Sequence, residues 1–466
     1  METIKALGSP LALVAGALAV LLLEAFLGRR RSKALAAAAF VFLAAAAFCA
    51  VRAWGRGWSY FGGRLQADEL ALSLTVVFVL AGAAVLLMGL DYALLRGLEP
   101  GPFAGLVLLA AAGAAVMVSS TDGLVVFLGL EILSVASYAL TGLQRAERAS
   151  AEAAAKYFLM GSFAGAFFVF GLAFVYGSTG GLVLTAGAPA AALGTALVLT
   201  ALFFKAAVAP FHMWAPDVYE GAPTPVAAFL TLVPKAAGLA VALRVTLPRL
   251  GPAAGSPLFS DVLSAAAVLT MFAGALGALG QKSFKRMLAY SSIAHSGFLL
   301  VAVVARDAAG LVFYLAAYLF MNTGAFGVLA LAASPDGEPV AIADLAGLGR
   351  RAPWLAAGLT VFLLSLAGFP PTAGFLAKFT VFGAAVREGR VALAVAAVLA
   401  SLVSAAFYLR VVVALYMEEG GDPAAGERND PALALVLFLC LFGVLQLGLW
   451  PGNLLVLIRG AFPAPF

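Results

Sequence analysis

Long apolar runs constrain the fold of this chain more than any other feature of its sequence. Runs of about 20 residues with few charged side chains recur along the 466 residues. Such a run has the length of a helix that crosses a lipid bilayer, whereas the strands of a membrane barrel alternate apolar and polar residues. We therefore predict an all-α polytopic membrane protein.

The composition supports this prediction and excludes several other classes of protein. Hydrophobic residues make up 64% of the chain and charged residues 11%, against about 25% charged residues in an ordinary soluble domain. A soluble domain of this size could not bury so many apolar side chains and still present a polar surface. Soluble enzymes, nucleic-acid-binding proteins and secreted disulfide scaffolds are thereby excluded as first interpretations. The net charge of +5 is attributed to loop topology, so no nucleic-acid partner is expected.

Charged segments and segments rich in glycine and proline divide the apolar runs into about fourteen predicted spans. Their predicted limits are 9–28, 34–51, 68–89, 103–119, 122–141, 153–176, 189–208, 226–247, 261–280, 287–305, 308–332, 353–384, 391–416 and 431–458. No connecting segment is long enough for a separate soluble domain. Residues 1–466 are therefore predicted to form a single membrane domain.

The distribution of basic residues predicts the orientation of these spans. Clusters of lysine and arginine follow the first and ninth spans, and more lie in loops on the same side. The residues concerned are Arg29, Arg30, Arg31, Lys33, Arg145, Arg148, Lys282, Lys285, Arg286, Arg350 and Arg351. Because cytoplasmic loops carry the excess of basic residues, this side is predicted to be cytoplasmic. Both termini would then lie on the outer side of the cell (inner) membrane.

Prolines interrupt two of the predicted spans, and each interruption has a lysine close by. Span seven ends with FFKAAVAPFHMWAP, in which Pro210 follows Lys205. Span twelve contains SLAGFPPTAGFLAKF, in which Lys378 follows Pro370 and Pro371. Proline removes a backbone hydrogen bond, and a break of this kind is tolerated only where the freed backbone lines protein or water.

The two broken spans lie five spans apart, which predicts an internal repeat. Residues 1–102 would form an N-terminal segment of three helices, residues 103–247 a first repeat of spans four to eight, and residues 261–416 a second repeat of spans nine to thirteen. Residues 431–458 would be the last helix. Because each repeat holds an odd number of spans, the second must be inserted upside down relative to the first. Inverted repeats with broken helices indicate an ion or substrate path at mid-membrane.

Isolated ionisable side chains within the spans are the candidates for chemistry. Glu131, Lys205, Lys235 and Lys378 each stand in an apolar context, where a charge is costly unless it is paired or hydrated. Glu131 lies in the middle of GLVVFLGLEILSVASYAL, so a partner cation on another helix is expected. One interpretation is a static Glu–Lys pair that joins two helices. The other is a proton path, since burial disfavours a charged lysine and lets it release a proton to a partner.

Two further residues are weaker candidates. His295, in AYSSIAHSGFLL, titrates near neutral pH and is a possible member of the path, although a hydrogen-bonded packing role is the alternative. Ser291, Ser292 and Ser296 lie beside it and could hold water. Lys156 lies about one turn into span six, from where its side chain could reach the surface.

The sequence predicts no metal or redox cofactor site in this chain. Its two histidines and two isolated cysteines have no zinc or haem spacing. No glycine-rich dinucleotide or phosphate loop stands between a strand and a helix.

Three long stretches resemble the antiporter-like subunits of NADH-quinone oxidoreductase (respiratory complex I), and among them its subunit N. They are LFFKAAVAPFHMWAPDVYEGAPTPVAAFL, KRMLAYSSIAHSGFLL and SLAGFPPTAGFLAKF, and EILSVASYAL followed by AAAKYFLMGSFAGAFFVFG is similar as well. The resemblance implies fourteen helices, two inverted five-helix repeats and broken helices seven and twelve. It also implies a proton path through Glu131, Lys205, Lys235 and Lys378. A lysine at position 378 favours subunit N over its sibling subunit M, in which a glutamate is expected.

The resemblance further implies a proton-translocating subunit that works in a hetero-oligomer. Other membrane and peripheral subunits would be its partners, together with membrane lipid. Flavin mononucleotide, iron–sulfur clusters and quinone would be bound by those partner subunits, which would also supply the driving free energy. The main alternative is a subunit of a multi-subunit sodium/proton antiporter, whose membrane subunits share this fold and these lysines. A third is a membrane subunit of an energy-converting hydrogenase or ferredoxin-linked complex.

Overall fold

The structure is a computed structural model that describes residues 7–27, 32–184, 188–246, 257–333, 340–420 and 430–462. Three of the residues used to predict orientation, Arg29, Arg30 and Arg31, lie outside the described residues. The two chain ends, 1–6 and 463–466, also lie outside them.

The first six predicted spans are single helices. They are α1 (Gly8–Leu27), α2 (Ser32–Ala53), α3 (Glu69–Leu95), α4 (Pro100–Val118), α5 (Gly123–Thr141) and α6 (Arg148–Thr179). A short antiparallel hairpin, β1 (Trp58–Tyr60) and β2 (Leu65–Ala67), joins α2 to α3. This hairpin is the addition that the structure makes to the predicted all-α architecture.

Spans seven and eight are each built from two helices. Span seven is α7 (Pro189–Lys205) followed by α8 (Trp214–Gly221), and the eight residues between them include Pro210. The predicted break in span seven is confirmed. Span eight is α9 (Thr224–Leu230) followed by α10 (Val233–Thr246). The predicted single span over 226–247 is confirmed, and a two-residue turn at 231–232 interrupts its helix.

The remaining helices complete the second repeat and the last span. They are α11 (Pro257–Leu279), α12 (Phe284–Val304), α13 (Ala308–Leu331), α14 (Leu348–Arg351), α15 (Pro353–Ala367), α16 (Ala373–Arg387), α17 (Val391–Met417), α18 (Pro431–Leu449) and α19 (Gly452–Ala461). A short 3₁₀ helix, Ile342–Leu345, precedes α14. Span twelve is the pair α15 and α16, which confirms its predicted break.

The last span is shorter than predicted. The sequence analysis placed one helix over 431–458, but α18 ends at Leu449 and α19 begins at Gly452. Pro451 lies between them, and proline within a helix removes a hydrogen bond and clashes with the preceding turn. The helix therefore stops before Pro451 and restarts after it.

The described helices supply fourteen membrane spans, and the short helices α14 and α19 lie outside them. Twelve segments are long and apolar enough to cross a membrane, with α9 and α10 counted together as one segment, Thr224–Thr246. The apolar halves of the two broken spans, α7 and α15, supply the other two. The chain is thus a multi-pass membrane protein of the predicted class.

The two repeats share local details at equivalent points. Asp122 caps the start of α5 by accepting from the backbone N–H groups of Leu124 and Val125, and Ser283 caps the start of α12 in the same way. Asp122 also forms a β-bridge with Val183, after α6. Ser283 forms its bridge with Ala341, after α13. The second span of each repeat is therefore anchored to the segment that follows the third.

The centre of the molecule lies where the two repeats meet. Every residue of the segment Thr224–Thr246 is buried, and so are most residues of α12 and α13, whereas most residues of α1 and α2 are not. The candidate residues Lys235 and His295 lie on these central helices. Polar groups there are far from lipid and must find partners within the protein.

Gly274 sets the close approach of α11 to α12. A Cβ atom at this position would lie 2.2 Å from the backbone nitrogen of Ala294. We expect Gly274→Ala to push the two helices apart and to cost about 1–3 kcal/mol of stability, as overpacking does. The measurement is the thermal midpoint at which this chain is lost from its purified assembly. Gly280→Ala is the control, because nothing lies within 4 Å of a Cβ there. Equal midpoints for the two variants would contradict the prediction.

Candidate functional site

Lys205 is the last residue of α7, directly before the break in span seven. Its side chain is buried, and its Nζ has no hydrogen-bond partner among the described residues. The ammonium group instead lies over two aromatic rings, 5.2 Å from the centre of Tyr138 and 4.8 Å from that of Tyr157. A cation at such a distance is attracted by the negative face of the ring.

Glu131 lies near Lys205 without touching it. It occupies the middle of α5, is half-buried, and interacts electrostatically with Lys205. Its Oε1 faces α6, where a Cβ atom added at Gly165 would lie 3.2 Å away. The two side chains form no ion pair in the described part of the chain. The expected partner cation is therefore present, but direct contact is not made.

The freed backbone of the break in span seven is satisfied by the second repeat. The carbonyl of Ala206 accepts a hydrogen bond of 2.6 Å from the Ser296 hydroxyl of α12. The N–H of Ala209 donates over 3.0 Å to Thr270 Oγ1 of α11. Each unpaired backbone group at this depth would cost free energy, so these side chains stabilise the interruption of the helix.

Lys235 stands at the start of α10, one turn beyond the break in span eight. Its Nζ donates to the Ser292 hydroxyl over 2.6 Å and also to the Ser292 carbonyl. The Tyr318 ring lies 5.2 Å away. All of these partners are neutral groups. Among the described residues, no carboxylate forms an ion pair with Lys235.

A side chain from α13 stabilises the break in span eight. The Asn322 amide donates over 2.5 Å to Thr231 Oγ1 and over 3.3 Å to the carbonyl of Ala228. Thr231 is the C-cap residue of α9. The sequence signal for this break was Pro234, which follows it directly.

His295 is buried in the centre of α12 between two tyrosines. Its Nδ1 lies 2.8 Å from the Tyr314 hydroxyl, and its Nε2 lies 3.4 Å from the Tyr408 hydroxyl. Tyr408 also forms a hydrogen bond with Ser291. Imidazole and hydroxyl groups both donate and accept, so this cluster has groups that can pass a proton.

The serines of α12 connect Lys235 to the break beside Lys205. Ser292 accepts from Lys235, and its carbonyl also accepts from Ser296 over 3.2 Å. Ser296 in turn donates to the Ala206 carbonyl, one residue after Lys205. Ser292 and Ser296 thus connect Lys235 to the backbone of the first break by hydrogen bonds.

Lys378 lies on α16, across the second break from the end of α15. Its Nζ donates to the carbonyls of Leu366 and Ala367 over 2.9 and 2.8 Å, and to Ser401 Oγ over 2.8 Å. The ring of Phe298 lies 4.9 Å away. The last carbonyls of a helix have no partner within it and carry partial negative charge, so they suit an ammonium group.

Lys156 is not part of this buried set. Its side chain is 43% exposed and pairs with Glu152 at 2.7 Å and Asp217 at 2.8 Å. Arg286 of α12 reaches the same Asp217 at 2.8 Å and Glu220 at 2.9 Å. Lys156 therefore reaches the surface, which is one of the two positions that the sequence left open. These ion pairs tie α8 to α6 and α12.

The sequence analysis missed the tyrosines that surround the candidate residues. Tyr138, Tyr157, Tyr314, Tyr318 and Tyr408 all contact a candidate lysine or His295. Their presence inside apolar spans was an available signal, because a buried tyrosine hydroxyl needs a partner.

A buried arginine was missed as well. Arg244, near the end of α10, donates to both carboxylate oxygens of Asp68 over 2.6 and 2.5 Å, and to the carbonyl of Val118 over 2.8 Å. This contact joins the N-terminal three-helix segment to the first repeat.

No metal site is formed by the residues that the structure describes. Those ranges contain no group of three or more histidine, cysteine, aspartate or glutamate side chains that could hold a metal ion.

Comparison with known proteins assigns the family. The family model described as NADH:quinone oxidoreductase/Mrp antiporter, TM, matches residues 120–404. NADH-quinone oxidoreductase subunit N 2 of Roseiflexus castenholzii is 40% identical over 96% of this chain and 94% of its own length. The chain belongs to the subunit N family of NADH-quinone oxidoreductase. The resemblance found in the sequence is thus confirmed over nearly its whole length.

Solved structures support the same fold for this subunit N family member. A chain of respiratory complex I from Thermus thermophilus with bound aureothin matches with a TM-score of 0.84 and 36% identity, covering 96% of this chain and 98% of that one. A chain of the Mrp complex from Dietzia sp. matches with a TM-score of 0.85 and 22% identity, covering 98% and 97%. At that lower identity the second match shows a shared fold and no more.

Ser296 provides a test of how the break in span seven is held open. We expect Ser296→Ala to leave the Ala206 carbonyl without its partner, at a cost of about 1–3 kcal/mol. The measurement is the thermal midpoint of the purified assembly. Ser264→Ala is the control, because Ser264 donates to Ser260, one turn earlier in its own helix. A midpoint for Ser296→Ala as high as that of the control would contradict the assignment.

Proposed function

We propose that this chain forms one proton path across the cell (inner) membrane as a subunit of an NADH-quinone oxidoreductase complex. Glu131, Lys205, Lys235 and Lys378 would carry the proton, with His295 as a possible further member. Quinone reduction in partner subunits would drive the transfer. The membership of the subunit N family supports the assignment to this complex.

The chemistry of the lysine partners is the observation that carries the proposal. Lys205 faces aromatic rings, Lys235 a serine, and Lys378 two carbonyls and a serine. A static ion pair would require a carboxylate against each ammonium group, because a buried charge is stabilised by an opposite one. Neutral partners favour transfer instead, since a lysine can lose its proton without leaving an unpaired carboxylate behind.

The order of the buried groups supports a path from the first break to the second. A proton at Lys205 would move towards Lys235 past Ser296 and Ser292, and water would have to carry it there, because Ser296 donates to backbone carbonyls and Lys205 Nζ has no hydrogen-bond partner among the described residues. From Lys235 it would pass the His295 cluster towards Lys378. Phe298 lies between His295 and Lys378, with its ring centre 5.7 Å from the His295 ring. Water would have to complete the path there.

The driving free energy must come from outside this chain. Moving one charge against the membrane potential requires about 2.3 kcal/mol per 100 mV. In this proposal, partner subunits that hold flavin mononucleotide, iron–sulfur clusters and quinone supply it. This chain would then be the translocating part of an oxidoreductase and would bind no redox cofactor of its own.

A sodium/proton antiporter subunit is the second candidate function. The family model that matches residues 120–404 supports it, because its description includes the Mrp antiporter. This chain is 22% identical to the chain of the Mrp complex, whereas it is 40% identical to subunit N 2 of Roseiflexus castenholzii. The oxidoreductase assignment is therefore the better supported of the two.

Lys205 provides the direct test of the path. We expect Lys205→Ala to reduce quinone-coupled proton pumping and NADH:quinone reduction at least tenfold, because the buried proton carrier beside the first break is lost. NADH–ferricyanide activity reports assembly of the redox subunits and should be unchanged. Lys282→Ala is the matched control, since Lys282 is exposed in the loop before α12. Full pumping in Lys205→Ala would overturn the proposal.

The proposed orientation can be tested with single cysteine substitutions. Ser59 lies exposed in the β1–β2 hairpin and Lys282 lies exposed at the opposite membrane face. With both termini on the outer side, Ser59→Cys should react with a membrane-impermeant maleimide in intact cells. Lys282→Cys should react only after the membrane is permeabilised. The reverse pattern would place the termini in the cytoplasm.

A further inference from the structure

The Lys205 ammonium group is surrounded by aromatic rings and not by hydrogen-bond acceptors. Its Nζ lies over the rings of Tyr138 and Tyr157 and has no hydrogen-bond partner among the described residues. A ring face attracts an ammonium cation but not a neutral amine. Contact with these rings therefore depends on whether Lys205 carries its proton.

Tyr138 and Glu131 lie on the same face of α5. They are seven residues apart, which is about two helical turns or about 10 Å along the axis. The Tyr138 ring lies against the Lys205 ammonium group, whereas Glu131 interacts with it electrostatically without forming an ion pair. The Lys205 side chain thus has two alternative partners on one helix face, and only Glu131 can accept its proton.

The position of Tyr138 is fixed by a glycine on the neighbouring helix. A Cβ atom at Gly161 of α6 would lie 1.9 Å from the Tyr138 hydroxyl oxygen and 2.6 Å from the ring carbon that bears it. No side chain at position 161 could coexist with Tyr138 in this place. Gly165, one turn along α6, gives Glu131 its space in the same way.

The second ring is held more rigidly. Tyr157 stacks on Trp214 with ring centres 4.4 Å apart and planes 7° apart, and the Trp214 indole N–H donates over 2.9 Å to the Phe204 carbonyl. Tyr138 meets Tyr157 edge to face, with centres 4.7 Å apart. The two rings therefore form one continuous aromatic surface. Tyr138, on the same helix as Glu131, is the part of it nearest to Glu131 in sequence.

We propose that Tyr138, seated against Gly161, is a positioning residue that holds the protonated Lys205 away from Glu131. The inference rests on the proposed function, because it describes one step of the same path. The ring keeps the charged side chain off the carboxylate, so the proton is not returned to Glu131. Once Lys205 passes its proton on, the ring no longer attracts it and the side chain is free to move.

Two substitutions of Tyr138 separate this role from ordinary packing. Tyr138→Phe keeps the ring and removes the hydroxyl, whereas Tyr138→Leu keeps an apolar side chain and removes the ring. In membranes that contain the whole complex, we expect proton pumping in Tyr138→Phe to stay within about twofold of the parent. In Tyr138→Leu we expect a loss of about three- to tenfold. The amount of this chain in the purified complex checks that both variants assemble.

Substitution of Gly161, against which the Tyr138 ring packs, tests the same role without changing Tyr138. Gly161→Ala should displace the Tyr138 ring and reduce pumping to the level of Tyr138→Leu. Gly177→Ala, on the same helix, is the matched control, because a Cβ there meets nothing within 4 Å. We expect this control to pump like the parent.

The outcomes distinguish this inference from the function on which it rests. If Lys205→Ala loses pumping while Tyr138→Leu pumps normally, the positioning role is wrong and the proton path stands. If Tyr138→Phe is as impaired as Tyr138→Leu, the hydroxyl matters and the role of the ring is overturned. If Lys205→Ala pumps normally, the proposed function itself fails.

Discussion

The interior of a membrane protein offers no bulk water, so every buried polar group must find its partner within the protein. This constraint explains why breaks and lysines occur together here. A broken helix exposes carbonyls that need donors, and a buried lysine needs acceptors. At the second break the buried lysine is the donor for the freed carbonyls, since Lys378 donates to the carbonyls of Leu366 and Ala367 at the end of α15. At the first break, Ser296 supplies the donor and leaves the Lys205 ammonium group to aromatic rings.

The two repeats share their architecture but not the chemistry of their lysines. Asp122 and Ser283 cap equivalent helices and form equivalent bridges. Lys205, however, precedes its break, whereas Lys378 follows its own. Lys378 therefore reaches back to the last carbonyls of α15, whereas Lys205 is itself the last residue of α7. Carbonyls fix Lys378 in place, while rings hold Lys205 without a hydrogen bond, so Lys205 is the one better suited to change partners.

Helix α12 joins the two repeats into one functional unit. It belongs to the second repeat, yet Ser292 binds Lys235 of the first repeat and Ser296 satisfies the backbone of the first break. His295, on the same helix, faces Tyr314 and Tyr408 of the second repeat. A change in the charge of any of these groups would affect its partners across the repeat boundary, because hydrogen bonds in the protein interior are strengthened by the low local dielectric constant.

The sequence by itself determined the number of spans, the breaks in spans seven and twelve and the ionisable residues within the spans. These features are local: apolar length, proline and isolated charge can be read without knowing what packs against them. Tertiary structure decided the partners. The packing of α5, α6 and α7 decides that Lys205 lies over Tyr138 and Tyr157 and not against Glu131. The break in span eight is stabilised by Asn322, about ninety residues away. The Asp68–Arg244 pair likewise joins residues 176 positions apart. Contacts of that range are set by helix packing, which the pattern of a single segment does not encode.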